Sequence, residues 1–158
     1  MPSSLILEKM HPVIGLSAIA DAFSTTVYSD VVDMKDWESC VFIVHWGVGA
    51  TGTVTLTVNA CDDIVPTTES AIPFWYKNIT AGDVEGTLTL ATTSGFTTTA
   101  GSAQIYTLEI KNEALASSGY RYARLKSVEV VDSPILGGII IVQGNPAYPQ
   151  AQHSTVID

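Results

Sequence analysis

Three histidines, His11, His45 and His153, are the ordinary side chains of this chain that could move a proton near neutral pH. None neighbours a serine or cysteine in a nucleophile motif. No Gly-x-Ser-x-Gly elbow, phosphate-cradling glycine loop or His-Glu-x-x-His helix is present. His45 falls inside an apolar run and reads as a packed or hydrogen-bonded strand residue rather than a base, while His11 and His153 fall in terminal segments. Carboxylates gather at Asp30, Asp33, Asp36 and Glu38, and again at Asp62 and Asp63. A hard cation such as calcium takes six to eight oxygens, which loop aspartates and free carbonyls can supply. Aspartates in such clusters equally serve turns through backbone hydrogen bonds, and that is the reading adopted. Trp37, Trp46 and Trp75-Tyr76 are the residue types of a sugar-stacking platform, but also those of ordinary core and interface packing. Paired carboxylates of a glycosidase cannot be selected from these positions, because nothing prefers one pair over another. No catalytic, cofactor-binding or metal-binding residue is therefore assigned, and the chain reads as non-enzymatic.

Cys40 and Cys61 flank the glycine-rich stretch Gly47-Val48-Gly49-Ala50-Thr51-Gly52, which looks like a hairpin tip midway between them. In such a hairpin the two thiols lie opposite each other as a reduced, packed pair; two cysteines without a second ligand pair do not close a zinc site. With Cys40 opposite Cys61, Val41, Ile43 and His45 would share a core face with Leu56, Val58 and Ala60. Phe42, Val44 and Trp46 would then point outward beside Thr55, Thr57 and Asn59. The first strand is apolar on both sides, so both sides should be covered. A second sheet, the N-terminal segment or another subunit could supply the cover.

Short runs rich in Val, Ile, Thr and aromatics, punctuated by Gly, Pro, Ser and Asp, recur across the chain and predict an all-β protein. Strands are predicted near 26–32, 40–46, 53–61, 72–79, 87–92, 104–110, 120–130 and 135–142: a single jelly-roll-like or related antiparallel β-sandwich of about eight strands. A short helical turn is predicted at Asn112-Glu113-Ala114-Leu115-Ala116 ahead of Gly119. Residues 1–23 read as an N-terminal arm with a helical turn near Ser17 to Ala22, residues 24–143 as the sandwich, and 144–158 as an extended tail. In the strand Tyr120 to Lys126, Tyr120, Tyr122, Arg124 and Lys126 share a polar outer face. Asn78-Ile79-Thr80 fits a glycosylation pattern, read as chance.

The chain has 158 residues, 46% of them hydrophobic and only 15% charged, against roughly 25% charged in soluble domains. Few side chains are left to keep the outside wet, so apolar surface is expected at assembly interfaces. The net charge is −9, with seven Lys and Arg scattered singly. No basic stripe exists for phosphates, which argues against direct nucleic-acid binding. The longest apolar run, Ile135 to Val142, is broken by Gly137 and Gly138, too short for a membrane helix. No secretory signal is visible at the start, so synthesis in a cytoplasm is the default.

Three segments in order, Ser29-Asp30-Val31-Val32-Asp33-Met34, then Gly52 to Asp63, then Gly119-Tyr120-Arg121-Tyr122-Ala123-Arg124-Leu125, resemble small virion proteins of tailed bacteriophages. The likeness covers most of 26–149. It implies a capsid decoration or cement protein, often a jelly-roll-like homotrimer, located on the capsid surface of a virion and partnered by itself and the major capsid protein. Related proteins serve in head-to-tail or tail parts, and a carbohydrate-binding or tail-associated module is the alternative. No cofactor and no membrane partner are implied. The expected interface residues are Leu5, Ile6 and Leu7 of the arm and Phe42, Val44 and Trp46 of the two-sided strand.

Overall fold

Alternating apolar residues need a second layer to bury against, and this chain supplies it with a second sheet of its own. The structure, a computed structural model, describes residues 5–48 and 51–148. A 3-10 turn, Ile6–Lys9, leads into β1 (Met10–Ile19), β2 (Thr26–Tyr28), β3 (Val32–Asp33), β4 (Trp37–Trp46), β5 (Thr53–Cys61), β6 (Glu69–Ile72) and β7 (Phe74–Thr80). There follow β8 (Val84–Glu85), β9 (Thr89–Ala91), β10 (Phe96–Thr97), β11 (Gln104–Lys111), α1 (Asn112–Ser118), β12 (Tyr122–Val131) and β13 (Gly137–Pro146).

The first sheet runs β1-β13-β4-β11-β7, with β8 and β9 side by side along β7; the second runs β10-β5-β12-β2, with β6 sharing the edge of β5 and β3 that of β12. Every pairing is antiparallel. The chain crosses repeatedly between the sheets: β1 to β2, β3 to β4, β4 to β5, β6 to β7, β11 to β12, β12 to β13. With β2 and β3 counted as one strand, this alternation is the jelly-roll pattern of eight principal strands, with β7 to β10 inserted between the fifth and the sixth, β6 and β11. The fold is thus the predicted all-β sandwich.

The core lies between the sheets. Phe42, Val44 and Trp46 of β4, Tyr106 and Leu108 of β11 and Ile139 and Ile141 of β13 face Val54, Leu56 and Val58 of β5 and Leu125 of β12. Trp46 stacks on Phe23 at 5.3 Å and meets the edge of Tyr106 at 5.8 Å, closing one end. Gly137 permits that closure, since a Cβ there would meet the His45 carbonyl and the Phe23 ring. At the other end α1 buries Leu115 and stops at Gly119, whose φ of 80° is the left-handed cap glycine adopts readily.

Four expectations need correction. Cys40 and Cys61 do not face each other across a hairpin. Cys40 pairs with Ile110 and Gln143 in the first sheet, Cys61 with Tyr122 and Glu69 in the second, and both are free thiols. The connection between β4 and β5 crosses from sheet to sheet: Gly47 bonds Leu136 and Ala103, and Val48 accepts from Leu136. Gly49 and Ala50 of the supposed hairpin tip lie outside the described residues.

The faces of β4 are consequently reversed. Phe42, Val44 and Trp46, expected at an interface, are fully buried in the sandwich core, while Val41, Ile43 and His45 face outward. Alternation along β4 distinguishes its two sides, but with both sides apolar only the partner sheet decides which is inside.

The expected arm is, from Met10 onward, an edge strand paired with β13 over Met10↔Gly144 to Ile19↔Gly137, so no helical turn forms at Ser17 or Ala18. Its weak periodicity comes from two register shifts, between Ile14 and Leu16 and between Leu16 and Ile19. Likewise the strand read over 72–79 is two strands in different sheets, separated at Pro73, which has no N–H to continue a ladder.

Phe42→Ala should cost about 3–5 kcal/mol, whereas Ile43→Asp should keep a cooperative unfolding transition. Denaturant titration of both variants checks this, and a larger loss in Ile43→Asp would show the faces assigned the wrong way round.

Candidate functional site

The two outer faces of the sandwich differ in chemistry. On the second sheet the outward positions carry Thr55 and Thr57 of β5 and Arg124 and Lys126 of β12, with Val128 at the end. Arg124 donates to Glu69 Oε2 at 2.6 and 2.9 Å and lies 3.9 Å over the Tyr28 ring. Nearby, Arg121 pairs with Asp33 at 2.9 Å, which holds the guanidinium charged. Lys77–Glu85 and Lys111–Glu109 are further ion pairs, so at least four of the seven basic side chains hold a carboxylate.

On the first sheet, three outward residues lie side by side across β1, β13 and β4: Ile14, Ile140 and Ile43. Val142 and Val41 form the next row. Ile14 is 66% exposed and Ile140 47%. This strip carries no carboxylate; charge begins farther over, at Glu109 on β11 and Lys77 on β7. At its upper end a shallow pocket of about 300 Å³ is lined by Ile14, Leu16, Ser17, Ala18, His45 and Ile140. The pocket exists because β1 loses register over small residues. A Cβ on Gly15 would strike Ile141, and one on Gly138 would strike the Leu16 carbonyl and Ala18 backbone.

Leu5, Ile6 and Leu7 project from the 3-10 turn, 64%, 76% and 74% exposed. Glu8 braces the turn, its backbone N–H donating to the Leu5 carbonyl while its carboxylate accepts from the Leu5 N–H, both at 3.1 Å.

The edges of both sheets are poor templates for adding strands. β1 holds Pro12 and two irregularities, and β7 is covered by β8 and β9. The second sheet is bordered by two- to four-residue strands, β10, β6, β2 and β3. Exposed apolar surface on this molecule is therefore presented by a face and a turn, not by a ladder edge.

The residues with chemical potential are dispersed. His45 is exposed beside the apolar pocket, and His11 stacks on Trp37 at 6.0 Å. His153 lies outside the described residues. Burial, with Glu109 adding to it, pushes the Cys40 thiol far above its usual range; burial pushes Cys61 up to about 11 against the pull of Arg124. Asp62 accepts from the Thr67 hydroxyl at 2.6 Å and from the Thr67 and Thr68 N–H groups, which lowers its pKa and locks the loop into β6. Asp33 accepts from Arg121 and the Lys35 N–H. Among the described residues no three His, Cys, Asp or Glu side chains are gathered for a metal, and no helix is long and apolar enough to cross a membrane.

The aromatic residues do not meet as one platform. Trp46 is core, Trp37 is buried beside His11, Tyr76 stacks on Phe96 at 3.8 Å, and Trp75 stands exposed on the opposite side of β7. A wider cleft of about 450 Å³ at the end of the sandwich is bounded by Trp37, Glu38, Asn112, Glu113 and Pro146.

Of the six residues expected at an interface, the structure leaves Leu5, Ile6 and Leu7 on the surface and removes Phe42, Val44 and Trp46 from it. Sequence reasoning missed Ile43, which it set on the core face, and Ile140. Their signal was present in the unbroken run Ile139-Ile140-Ile141-Val142, which only a strand covered on both faces needs.

No family model matches the chain, and no curated protein matches it by sequence. Among solved structures it is similar to the SPBc2 prophage-derived protein YomS, at TM-score 0.43 and 11% identity over 84% of this chain and 92% of that one. It is also similar to a structure of infectious bursal disease virus, Gx strain, at TM-score 0.27 and 12% identity over 87% of this chain, and to the VP2 subviral particle of that virus, at TM-score 0.28 and 9% identity over 87%. The chain spans 42% and 41% of those two longer chains.

Two outcomes follow. Native protein should leave both thiols unreacted with a small disulfide reagent at pH 8, and the unfolded chain should titrate two; fast reaction without denaturant would contradict their burial. A carboxylate with a depressed folded pKa contributes stability above its unfolded pKa and loses it as pH falls through the folded one. The melting-temperature gap between the unmodified protein and Asp62→Ala should therefore narrow on acidification below pH 4, and a constant gap would contradict the role of the charged form.

Proposed function

We propose that this chain is a non-enzymatic virion structural protein, a capsid decoration or cement protein that self-associates and grips the outside of a shell through the outer face of its first sheet. The observation that carries the reading is the inequality of the two faces. One is a charged and threonine-rich surface on which Arg124 is paired with Glu69; the other is a carboxylate-free strip of isoleucine and valine on a chain whose net charge is −9. Two acidic molecules repel over most of their surface and can meet at least electrostatic cost where charge is absent. Burying apolar area there gains roughly 25 cal/mol per Å² before the costs of association.

The sequence resemblance to phage virion proteins supports the same reading, and so does the dispersal of the histidines and cysteines among the described residues. In this reading the partners are further copies of the chain, as a homotrimer, and the major capsid protein, with the protein residing on the capsid surface. Cement action needs no chemistry: contacts that bind only the assembled shell stabilise it by mass action.

The test is Ile140→Asp. Sedimentation of the unmodified protein at micromolar concentration should give a multiple of 16.8 kDa, and the variant should fall to that mass with its melting transition intact. Incubation with phage shells lacking the protein should give decorated particles for the unmodified chain and at least tenfold lower occupancy for the variant. An unmodified protein that stays monomeric and leaves shells bare would overturn the proposal.

A further inference from the structure

We infer that the exposed turn Leu5-Ile6-Leu7 of one copy seats in the Ile14/Leu16/Ile140 pocket of a second copy, so that each molecule carries both halves of its own assembly joint. The inference rests on the reading that the chain self-associates and names the contact that does it. The turn and the pocket belong to opposite ends of the β1–β13 pair: the turn precedes Met10, which pairs with Gly144, whereas the pocket surrounds Leu16, which pairs with Ile139. At about 3.3 Å per residue the two are roughly 20 Å apart along the strand, so a molecule's own turn does not reach its own pocket.

The occupant is fixed by charge and by area. The pocket is lined by aliphatic and small residues with His45, without a carboxylate or a basic aliphatic chain, and the turn offers three uncharged side chains in a row. A basic partner would find nothing to pair with there, and another acidic surface would gain nothing; the uncharged segment Leu5-Ile6-Leu7 of a second copy fits. Leu5, Ile6 and Leu7 expose on the order of 400 Å² on the turn and Ile14 and Ile140 on the order of 200 Å² at the pocket, so one joint buries on the order of 600 Å² in total, at the small end of protein interfaces, and each copy makes two such joints. Half-buried Leu16, Ile43 and Val142 extend the apolar surface around it. A turn-to-pocket contact is also what remains once both sheet edges are closed to strand addition.

The buried thiols make a clean cross-linking test possible, because Cys40 and Cys61 are inaccessible in the folded chain. Ile6→Cys and Ser17→Cys each place one accessible thiol, the first on the turn and the second at the pocket rim. Mixing the two variants under mild oxidation should give a covalent mixed dimer at least tenfold faster than either variant alone. In parallel, Ile6→Asp should raise the dissociation constant of the assembly at least tenfold while leaving the melting transition in place.

If the unmodified protein sediments as an oligomer but the mixture cross-links no faster than the separate variants, the turn-to-pocket contact is overturned and self-association stands. If the unmodified protein is monomeric at the concentrations used, both fall together.

Discussion

The central strand β4 is apolar on both sides, and a strand of that kind is stable only with cover above and below. Its inner side, Cys40, Phe42, Val44 and Trp46, is covered by the second sheet and by the end-plug of Phe23 and Tyr106. Its outer side, Val41 and Ile43, is flanked among the described residues by its neighbours in the sheet, Ile140 and Ile14 among them. The jelly-roll topology follows from the first requirement, because each sheet must be filled by strands that cross over from the other. The exposed strip is what the second requirement leaves over.

The strip persists because the chain has few charges to cover it and spends them elsewhere. Of the basic side chains, Arg121 and Arg124 serve the second sheet, Lys77 and Lys111 the far side of the first. Each ion pair at the surface contributes little to stability, about 0–1 kcal/mol, so their placement matters more for where other molecules are kept away than for the fold. Together with short, irregular or proline-bearing edge strands, they direct association toward a face and away from open-ended ladder growth.

Glycine acts here through close approach as much as through turns. Gly15 and Gly138 let β1 slip out of register against β13, and the slip opens the pocket beside His45; Gly137 lets Phe23 reach Trp46. Both effects fall at one end of the β1–β13 pair, where the slip shapes the outer surface and Phe23, just beyond β1, closes the core beneath it.

Much of the architecture was legible in residue order. The period-2 runs gave β5 at Thr53–Cys61 and β11 at Gln104–Lys111, and Asn112 to Gly119 marked a helix with a glycine stop. These are local properties, fixed by backbone preference and by alternation within a few residues. The outward-facing site was half legible: Leu5, Ile6 and Leu7 stood out as an apolar cluster in a polar start, and β4 as a strand needing cover twice. Which side of β4 would be covered by the chain itself was not, because alternation is symmetric under exchange of faces. That choice was made by pairings across 70 and 103 residues, Cys40 with Ile110 and with Gln143 rather than with Cys61, which turned Phe42, Val44 and Trp46 inward and left Ile43 outside. The sequence by itself determined that this is an all-β sandwich with apolar residues to spare; only the tertiary structure decided which of them the molecule keeps and which it presents, because a strand's inside is defined by the sheet that packs against it.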